Sequence, residues 1–330
     1  MSDRPVLQPI HPEIGEKLLD EYAAFHREHL MHTPPLHEIP WTPAIRQQPA
    51  VLGGSEPLPV GKVQDFSLSH CMMRTFTPEG DAPEGGWPVF IFFHGGGWTL
   101  GRIDTENAFS SNMCKRANCV VVSVDYRLGP EKPYPAAVED AVEALQWTHS
   151  KAPEALGINP SRIAVGGSSS GGNLAAIITH KAVELGIPLV FQLLVVPVTD
   201  NTAKVGDERY PSWTENARTV SLVPDKMLWF RNNYSPNPAD WTKWDNSPIF
   251  APEELFKKSP PAWIGVAELD VLRDEGIAYG EKLTKAGVNA EVKVYKGAPH
   301  PIMAMDGALD VGRELVSDAA AALKKAFYPA

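Results

Sequence analysis

The stretch Gly167-Ser168-Ser169-Ser170-Gly171 indicates the fold of this chain of 330 residues. An apolar run, Ile163 to Val165, comes directly before it, and a helical pattern begins near Asn173. Glycines two residues on either side of Ser169 let the backbone and a following helix approach closely. The pattern therefore predicts a strained strand-to-helix turn that exposes the Ser169 hydroxyl as a nucleophile. Ser168 and Ser170 lack glycine at both flanking positions, and we expect them to be small residues tolerated in the turn.

Strand and helix patterns alternate on both sides of this turn. Continuous Val, Ile and Leu runs separated by helices are typical of a parallel sheet buried on both faces. We therefore expect an α/β fold with a mostly parallel eight-stranded sheet flanked by helices. The predicted strands are 62–70 and 71–77, which form an antiparallel pair, and then 89–93, 120–124, 162–165, 189–196, 262–267 and 290–295. The predicted helices of this region are 136–148, 174–185, 274–286 and 306–327.

Two segments fall outside the alternating pattern, and they define the predicted organisation. Residues 1–60 hold an amphipathic helix, from Glu13 to about Leu30, and then an irregular, proline-rich wrap. Residues 200–246 form an aromatic-rich insertion between two core strands, where it can cover the crevice at the carboxyl ends of parallel strands. We expect these two segments to build a helical cap on a core made of residues 61–199 and 247–330.

A glycine-rich motif, His94-Gly95-Gly96-Gly97-Trp98, follows the strand at 89–93 directly. Hydrolysis of an ester passes through an oxyanion, which preorganised backbone N–H groups stabilise. We predict an oxyanion hole formed by the N–H groups of Gly96, Gly97 and Ser170, the residue after the nucleophile. No Lys-Ser or Lys-Thr pair follows these glycines, and no G-x-G-x-x-G pattern opens a helix there, so nucleotide binding is disfavoured.

The acid and the base that a serine nucleophile needs are expected later in the chain, in that order. Asp270 follows the strand at 262–267 and therefore faces the crevice, whereas Asp274 and Glu275 suit the first turn of the next helix. His300 lies in the loop after the strand at 290–295 and is the only histidine downstream of Asp270. We predict that His300 is the general base and that Asp270 orients it.

Composition excludes several other classes of function. The 40 acidic and 30 basic side chains give a net charge of -10, so we expect no nucleic-acid partner. The first twenty residues hold no apolar run long enough for a signal peptide, and we expect no stable membrane anchor and a cytoplasmic location. Three cysteines suit a reducing compartment. Neither they nor the histidines at 26, 29, 32 and 37 have the partners of a metal site, so we expect no metal and no cofactor.

Four segments together resemble one family, the hormone-sensitive lipase-like branch of the α/β-hydrolases. The matching segments are 94–98, 125–131, 167–173 and 270–276, with the sequences HGGGW, DYRLGPE, GSSSGGN and DVLRDEG. The resemblance covers roughly residues 62–327 and implies an α/β-hydrolase fold with a helical cap. It also implies a triad of Ser169, Asp270 and His300 beside an oxyanion hole in the HGGG loop. It is compatible with a homodimer.

This chain departs from the family pattern at three positions. Members usually have an acidic residue or threonine where Ser168 stands, often proline at Val271, and commonly glycine where this chain has Pro301. All three departures leave the predicted triad in place. They are expected to change the local hydrogen bonds next to the Ser169 turn and the conformation of the loop that carries His300.

The chemistry predicted from these residues is hydrolysis of a small ester with a short to medium acyl chain, through an acyl-enzyme. An amidase, a formamidase or a lactonase would use the same residues, because fold and triad determine the class of mechanism rather than the substrate. A receptor that binds a small molecule under the cap without turnover is the alternative from another class, but such a protein would not need to keep His300.

Overall fold

The computed structural model describes residues 4–48 and 51–329, and it contains one sheet of eight strands. The strands are β1 (Lys62–Ser67), β2 (Met72–Thr77), β3 (Trp87–Phe93), β4 (Val120–Asp125), β5 (Ile158–Ser168), β6 (Phe191–Val195), β7 (Ala262–Ala267) and β8 (Ala290–Tyr295). Their order across the sheet is β1-β2-β4-β3-β5-β6-β7-β8. Strand β2 runs antiparallel to both of its neighbours, and all other pairs are parallel. The predicted α/β fold with a mostly parallel eight-stranded sheet is confirmed.

The sheet is covered on both faces, as the apolar strands require. In β3, Val89 and Ile91 pack into the apolar cluster on one face, whereas Phe90 and Phe92 pack into the cluster on the other. Successive side chains of a strand point to opposite faces of the sheet, so both sets are apolar when both faces are buried. The first face is covered by α4 (Ala136–Ser150), α5 (Ala152–Leu156), α6 (Ser170–Leu185), α9 (Glu253–Lys257) and α10 (Arg273–Lys285). The second is covered by α3 (Asn107–Ala117) and α11 (Asp310–Phe327).

The N-terminal segment differs from the single amphipathic helix that its periodicity predicts. It forms α1 (Pro12–Gly15), α2 (Asp20–Phe25) and a π-helical turn (His26–Leu30). The break comes at Leu19, whose backbone is extended and whose N–H donates to Gly297 O at 3.0 Å. This tertiary hydrogen bond replaces an intrahelical one, so the helix stops and restarts. Two short 3₁₀ turns, Leu36–Glu38 and Pro43–Gln47, follow in the proline-rich wrap.

The insertion, residues 200–246, carries two helices, α7 (Ser212–Glu215) and α8 (Pro224–Tyr234), and the 3₁₀ turn Pro238–Asp240. The 3₁₀ turn Pro248–Phe250 and α9 follow it before β7. A last 3₁₀ turn, Ile302–Met305, follows β8. The predicted segment boundaries after residues 60, 199 and 246 stay predictions, and residues 1–3, 49, 50 and 330 of those segments lie outside the described residues. Among the described helices, none combines the length and the apolar composition needed to cross a membrane.

Candidate active site

The predicted nucleophile lies at the sharp turn between β5 and α6. Ser169 is the single residue between the strand and the helix. Its backbone angles, φ of 53° and ψ of -114°, are a combination that residues other than glycine rarely adopt. The neighbouring glycines are required sterically. A Cβ on Gly167 would lie 2.2 Å from Gly171 O, and one on Gly171 would lie 1.9 Å from Phe93 O. Close packing of the strand, the turn and the helix therefore holds Ser169 in its strained conformation.

The predicted acid and base converge on this serine from two separate loops. Asp270 follows the end of β7, and His300 follows the end of β8. His300 Nδ1 lies 2.7 Å from Asp270 Oδ2, and His300 Nε2 lies 3.0 Å from Ser169 Oγ. The exposed fractions of Asp270, His300 and Ser169 are 0%, 6% and 9%, so the chain of hydrogen bonds is shielded from solvent. The structure thus brings together the three side chains selected from the sequence.

The three predicted oxyanion donors lie beside the serine. Gly96 and Gly97 have φ values of 120° and 60°, in the region that favours glycine. In the described part of the chain, the N–H groups of Gly96 and Gly97 donate to no protein atom. The N–H of Ser170 is in the first turn of α6, where no intrahelical acceptor exists. All three donors are therefore available to a ligand.

His94 stabilises this glycine loop from beneath rather than entering the triad. It is buried, its Nδ1 lies 2.7 Å from Gly95 O, and its ring stacks on Tyr126 with a centroid separation of 4.4 Å. The Tyr126 hydroxyl donates to His94 O at 2.8 Å. Burial lowers the pKa of His94 to about 4, so the ring is neutral at physiological pH. These contacts brace the glycine loop.

The predicted cap packs directly on the glycine-rich segment 94–98, which is called the oxyanion loop below. Trp98 stacks on Tyr234 of α8, with ring centroids 4.3 Å apart and planes 6° apart. A Cβ on Gly97 would lie 2.2 Å from Phe230 Cδ1, so the ring of Phe230 lies against the bare backbone of this glycine. A cavity of about 860 Å³ remains between cap and core, and Ser169 and His300 line it. Residues of the N-terminal segment and of α8 contribute to its lining.

Comparison with known proteins gives a consistent result. Residues 90–304 match the family described as alpha/beta hydrolase fold. The chain belongs to this α/β-hydrolase family. An AB hydrolase superfamily protein of Schizosaccharomyces pombe is 47% identical over 333 residues, covering 97% of each chain. The carboxylesterase NlhH of Mycobacterium tuberculosis is 41% identical over 245 residues, covering 73% of this chain and 74% of NlhH. The crystal structure of a thermostable esterase from Pseudomonas putida superimposes with a TM-score of 0.85 at 31% identity, covering 95% of this chain and 99% of that one.

One half-buried carboxyl group of this α/β hydrolase was not predicted from the sequence. Glu106 lies between the oxyanion loop and the serine turn. Its Oε1 accepts from Ser168 Oγ at 2.8 Å, and its Oε2 accepts from Gly95 N at 3.1 Å. Glu106 itself has a φ of 60°, which a glutamate rarely adopts. Position 168, where the family pattern usually has an acidic residue or threonine, is serine in this chain, and Glu106 supplies a carboxyl group there from another segment.

The electrostatic environment of Glu106 is unusual for a carboxyl group. Burial raises its pKa to about 7, and the hydrogen bonds from Ser168 and Gly95 only partly oppose this shift. No sequence motif includes this residue, because its relevance comes from its contacts with two distant turns. The position twelve residues after His94 carried no recognisable signal.

The loop that carries Asp270 is held by a second set of residues that sequence reasoning missed. Asn216 Nδ2 donates to Asp270 O at 2.9 Å and to Glu268 O at 3.0 Å, and Thr219 Oγ1 donates to Leu269 O. The Asp270 carboxylate also accepts from Leu272 N at 3.0 Å. Asn216 and Thr219 belong to the insertion, so this segment helps to position the loop that carries Asp270.

Proposed function

We propose that this protein is a serine carboxylesterase that hydrolyses short- to medium-chain esters, with Ser169 as nucleophile, His300 as general base and Asp270 as the residue that orients the base. One observation carries the proposal: Ser169 Oγ, His300 and the Asp270 carboxylate form a continuous series of contacts at 3.0 and 2.7 Å. The carboxylesterase and esterase relatives support an ester as the bond that is cleaved.

The reaction then proceeds in two balanced halves. Ser169 Oγ attacks the ester carbonyl carbon while His300 Nε2 takes the hydroxyl proton, and His300 returns that proton to the departing alcohol oxygen as the acyl-enzyme forms. Water repeats the attack on the acyl-enzyme, and Ser169 regains its proton as the carboxylic acid leaves. Asp270 accepts from His300 Nδ1–H, so Nε2 is kept as the acceptor that the first step requires.

The charge that develops on the carbonyl oxygen is stabilised by the N–H groups of Gly96, Gly97 and Ser170. Their lack of protein acceptors within the described residues supports this role. One such donor typically contributes about 3 kcal/mol to the stabilisation of the transition state. The positive φ values of Gly96 and Gly97 orient two donors before the substrate arrives, so little reorganisation is needed.

Glu106 completes the site as a positioning residue in this proposal. Its carboxylate links Gly95, which precedes the two glycine donors, to Ser168, which precedes the nucleophile. Donor and nucleophile must keep a mutual geometry that is accurate to a fraction of an ångström. A shared acceptor between the two segments supports that geometry without contacting the reacting atoms.

The remaining predictions extend this proposal to the surroundings of the enzyme. The net charge of -10 supports a small ester rather than a nucleic acid as the binding partner. Cys71, Cys114 and Cys119 are all free thiols, which supports a reducing, cytoplasmic compartment. The mechanism uses only side chains and backbone of this chain, and it needs neither metal nor cofactor.

A pre-steady-state assay with a small nitrophenyl ester tests the proposal. An acyl-enzyme mechanism predicts a burst of nitrophenol equal to the enzyme concentration, followed by slower turnover. We expect Ser169→Ala to lose the burst and to fall at least about 10³-fold in kcat, and a fluorophosphonate to label the wild-type protein at Ser169 only.

Ser161→Ala is the matched control, because Ser161 is an exposed serine of the same strand, β5. It should keep the burst and the labelling. Hydrolysis by Ser169→Ala at a rate near that of Ser161→Ala would contradict the proposed function. A panel of an ester, an amide, a formamide and a lactone then ranks the substrate classes that this mechanism allows.

A further inference from the structure

The wall of the active-site cavity is mostly apolar but contains a few charged side chains. Tyr22, Phe25, Leu222, Met227 and Phe230 are among the apolar residues on its cap side. A wall of this kind suits an acyl chain or the carbon skeleton of an alcohol. A charged group in it therefore needs either a partner within the protein or a partner on the ligand.

Five of the charged side chains that line the cavity have such partners. Arg46 lies 2.6 Å from Glu131, and Arg102 lies 2.6 Å from Asp104, which also lines the cavity. Glu106 accepts from Ser168 and Gly95, as described above. A further cavity carboxylate, Asp306, accepts hydrogen bonds from the backbone and side chain of Ser55.

Lys226 is the exception. Its Nζ donates to Ser221 O at 2.9 Å, and within residues 4–48 and 51–329 it forms no ion pair with a carboxylate. An ammonium group has three donors, so two of them lack a protein acceptor there. Burial lowers the pKa of Lys226 to about 8, and the amine remains mostly charged at neutral pH.

The position of Lys226 in the fold is costly without a ligand. It lies in the first turn of α8, where the helix dipole disfavours a positive charge. Lys226 also lines a second cavity, of about 470 Å³. One turn further along α8, Phe230 lies against Gly97 of the oxyanion loop, which puts Lys226 on the substrate side of this helix.

We propose that Lys226 binds a carboxylate of the substrate, so that the preferred esters carry a negative charge on their acyl or alcohol part. This inference rests on the proposed ester hydrolysis and specifies its substrate class. A charge-assisted hydrogen bond from a half-buried lysine would supply the missing counter-charge and would select an acidic ester over a neutral one. Monoesters of dicarboxylic acids and acyl esters of hydroxy acids have the required chemistry.

Two substrate pairs, assayed in a pH-stat at pH 7, test this inference. Monoethyl succinate is compared with ethyl succinamate, and acetoxyacetate with acetoxyacetamide. Within each pair only a carboxylate and a carboxamide differ, on the acyl side in the first pair and on the alcohol side in the second. The quantity measured is the ratio of kcat/KM for the acidic ester to that for the neutral ester.

We expect wild-type protein to prefer the acidic ester in at least one pair. Lys226→Met should lower that ratio at least about tenfold, and Lys226→Arg should largely keep it. Lys285→Met is the matched control, because it removes the same charge from a lysine that is 79% exposed and far along the chain, at the end of α10. Its ratio should equal that of wild type.

The outcomes separate the two proposals. An unchanged ratio in Lys226→Met, an equal fall in Lys285→Met, or a wild-type preference for both neutral esters would overturn the role of Lys226 while leaving ester hydrolysis intact. Activity of Lys226→Met on the neutral esters shows that this variant folds. Absence of Ser169-dependent turnover on all four esters would instead contradict the proposed function.

Discussion

Replacing Glu106 by glutamine should raise the stability of this protein and lower its activity. Burial raises the pKa of the Glu106 carboxyl from 4.5 to about 7. The native state therefore binds this proton more tightly than the unfolded state does, and the free energy of unfolding falls as pH rises between these two values. Above pH 7 the loss is complete, and glutamine, which cannot ionise, avoids it.

The pKa shift sets the size of the effect. Raising the pKa of Glu106 from 4.5 to about 7 lowers the free energy of unfolding at pH 8 by at most about 3 kcal/mol. Glu106 is only half-buried because its carboxyl faces the cavity, and solvent that enters there screens part of the cost. We therefore expect Glu106→Gln to be more stable than wild type by about 1–2 kcal/mol at pH 8 and by much less at pH 5.

Activity should change in the opposite direction. The carboxylate accepts from both Gly95 N and Ser168 Oγ, whereas the single amide oxygen of glutamine can serve one of them well. The oxyanion loop and the serine turn then lose their common acceptor. We expect kcat to fall about tenfold with little change in KM, because the affected donors act mainly in the transition state.

Urea unfolding at pH 5 and pH 8, together with steady-state kinetics at pH 8, checks both expectations. Glu281→Gln is the control, since Glu281 is 61% exposed and its replacement should change neither stability nor kcat in a pH-dependent way. Tyr126 is a titratable group that interacts with Glu106, and Asp104 lies two residues before it. Tyr126 does not ionise in this range, because burial raises its pKa well above it.

A second carboxylate provides a rescue experiment. Ser168 Oγ lies 2.8 Å from Glu106 Oε1, and a Cβ on Gly95 would lie 2.6 Å from the same Ser168 oxygen. Aspartate at position 168 would therefore bring an acceptor close to both segments, and Ser168→Asp should recover part of the kcat lost in Glu106→Gln. Wild-type kcat in Glu106→Gln, or an added stability that is the same at pH 5 and pH 8, would contradict these roles of Glu106.

Two further substitutions test the rest of the site. Asp270→Asn should lower kcat about 10³–10⁴-fold at pH 7 with a small change in KM. Asp270 Oδ2 lies 2.7 Å from His300 Nδ1, and an amide there favours the wrong tautomer of His300. A loss of kcat below tenfold in steady-state kinetics would contradict the role of Asp270. Gly97→Ala should lower kcat by about 10²-fold or more, because its φ is 60° and the new Cβ would lie 2.2 Å from Phe230 Cδ1. A double-mutant cycle with Phe230→Ala measures the steric share of that loss, and wild-type kcat in Gly97→Ala would contradict the requirement for glycine at this position.

Local sequence was sufficient for the core of the fold. The strands predicted at 262–267 and 290–295 have the bounds Ala262–Ala267 and Ala290–Tyr295 in the structure. Their apolar runs are long enough for a buried strand and too short for a helix, and helical patterns separate them. The helix Asn107–Ala117 lies in a stretch for which no element was predicted. Its buried face includes serines and an asparagine, so its apolar periodicity is weak.

Tertiary contacts decided the features that local sequence missed. The helix predicted from Glu13 to Leu30 breaks because Leu19 donates to Gly297, a residue almost 280 positions away. Glu106 and Lys226 were not selected because a glutamate before a helix and a lysine in its first turn are common surface residues in any sequence. Their burial and their partners, or lack of them, depend on segments that meet only in the folded chain.

The sequence by itself therefore determined the sheet, the serine turn and the three side chains that meet there, because strand periodicity and glycine spacing act over a few neighbouring residues. Only the tertiary structure decided how these groups are held and what the cavity can select. Burial, desolvation and hydrogen-bond geometry at Glu106 and Lys226 are sums over contacts between distant segments, and no local pattern records them.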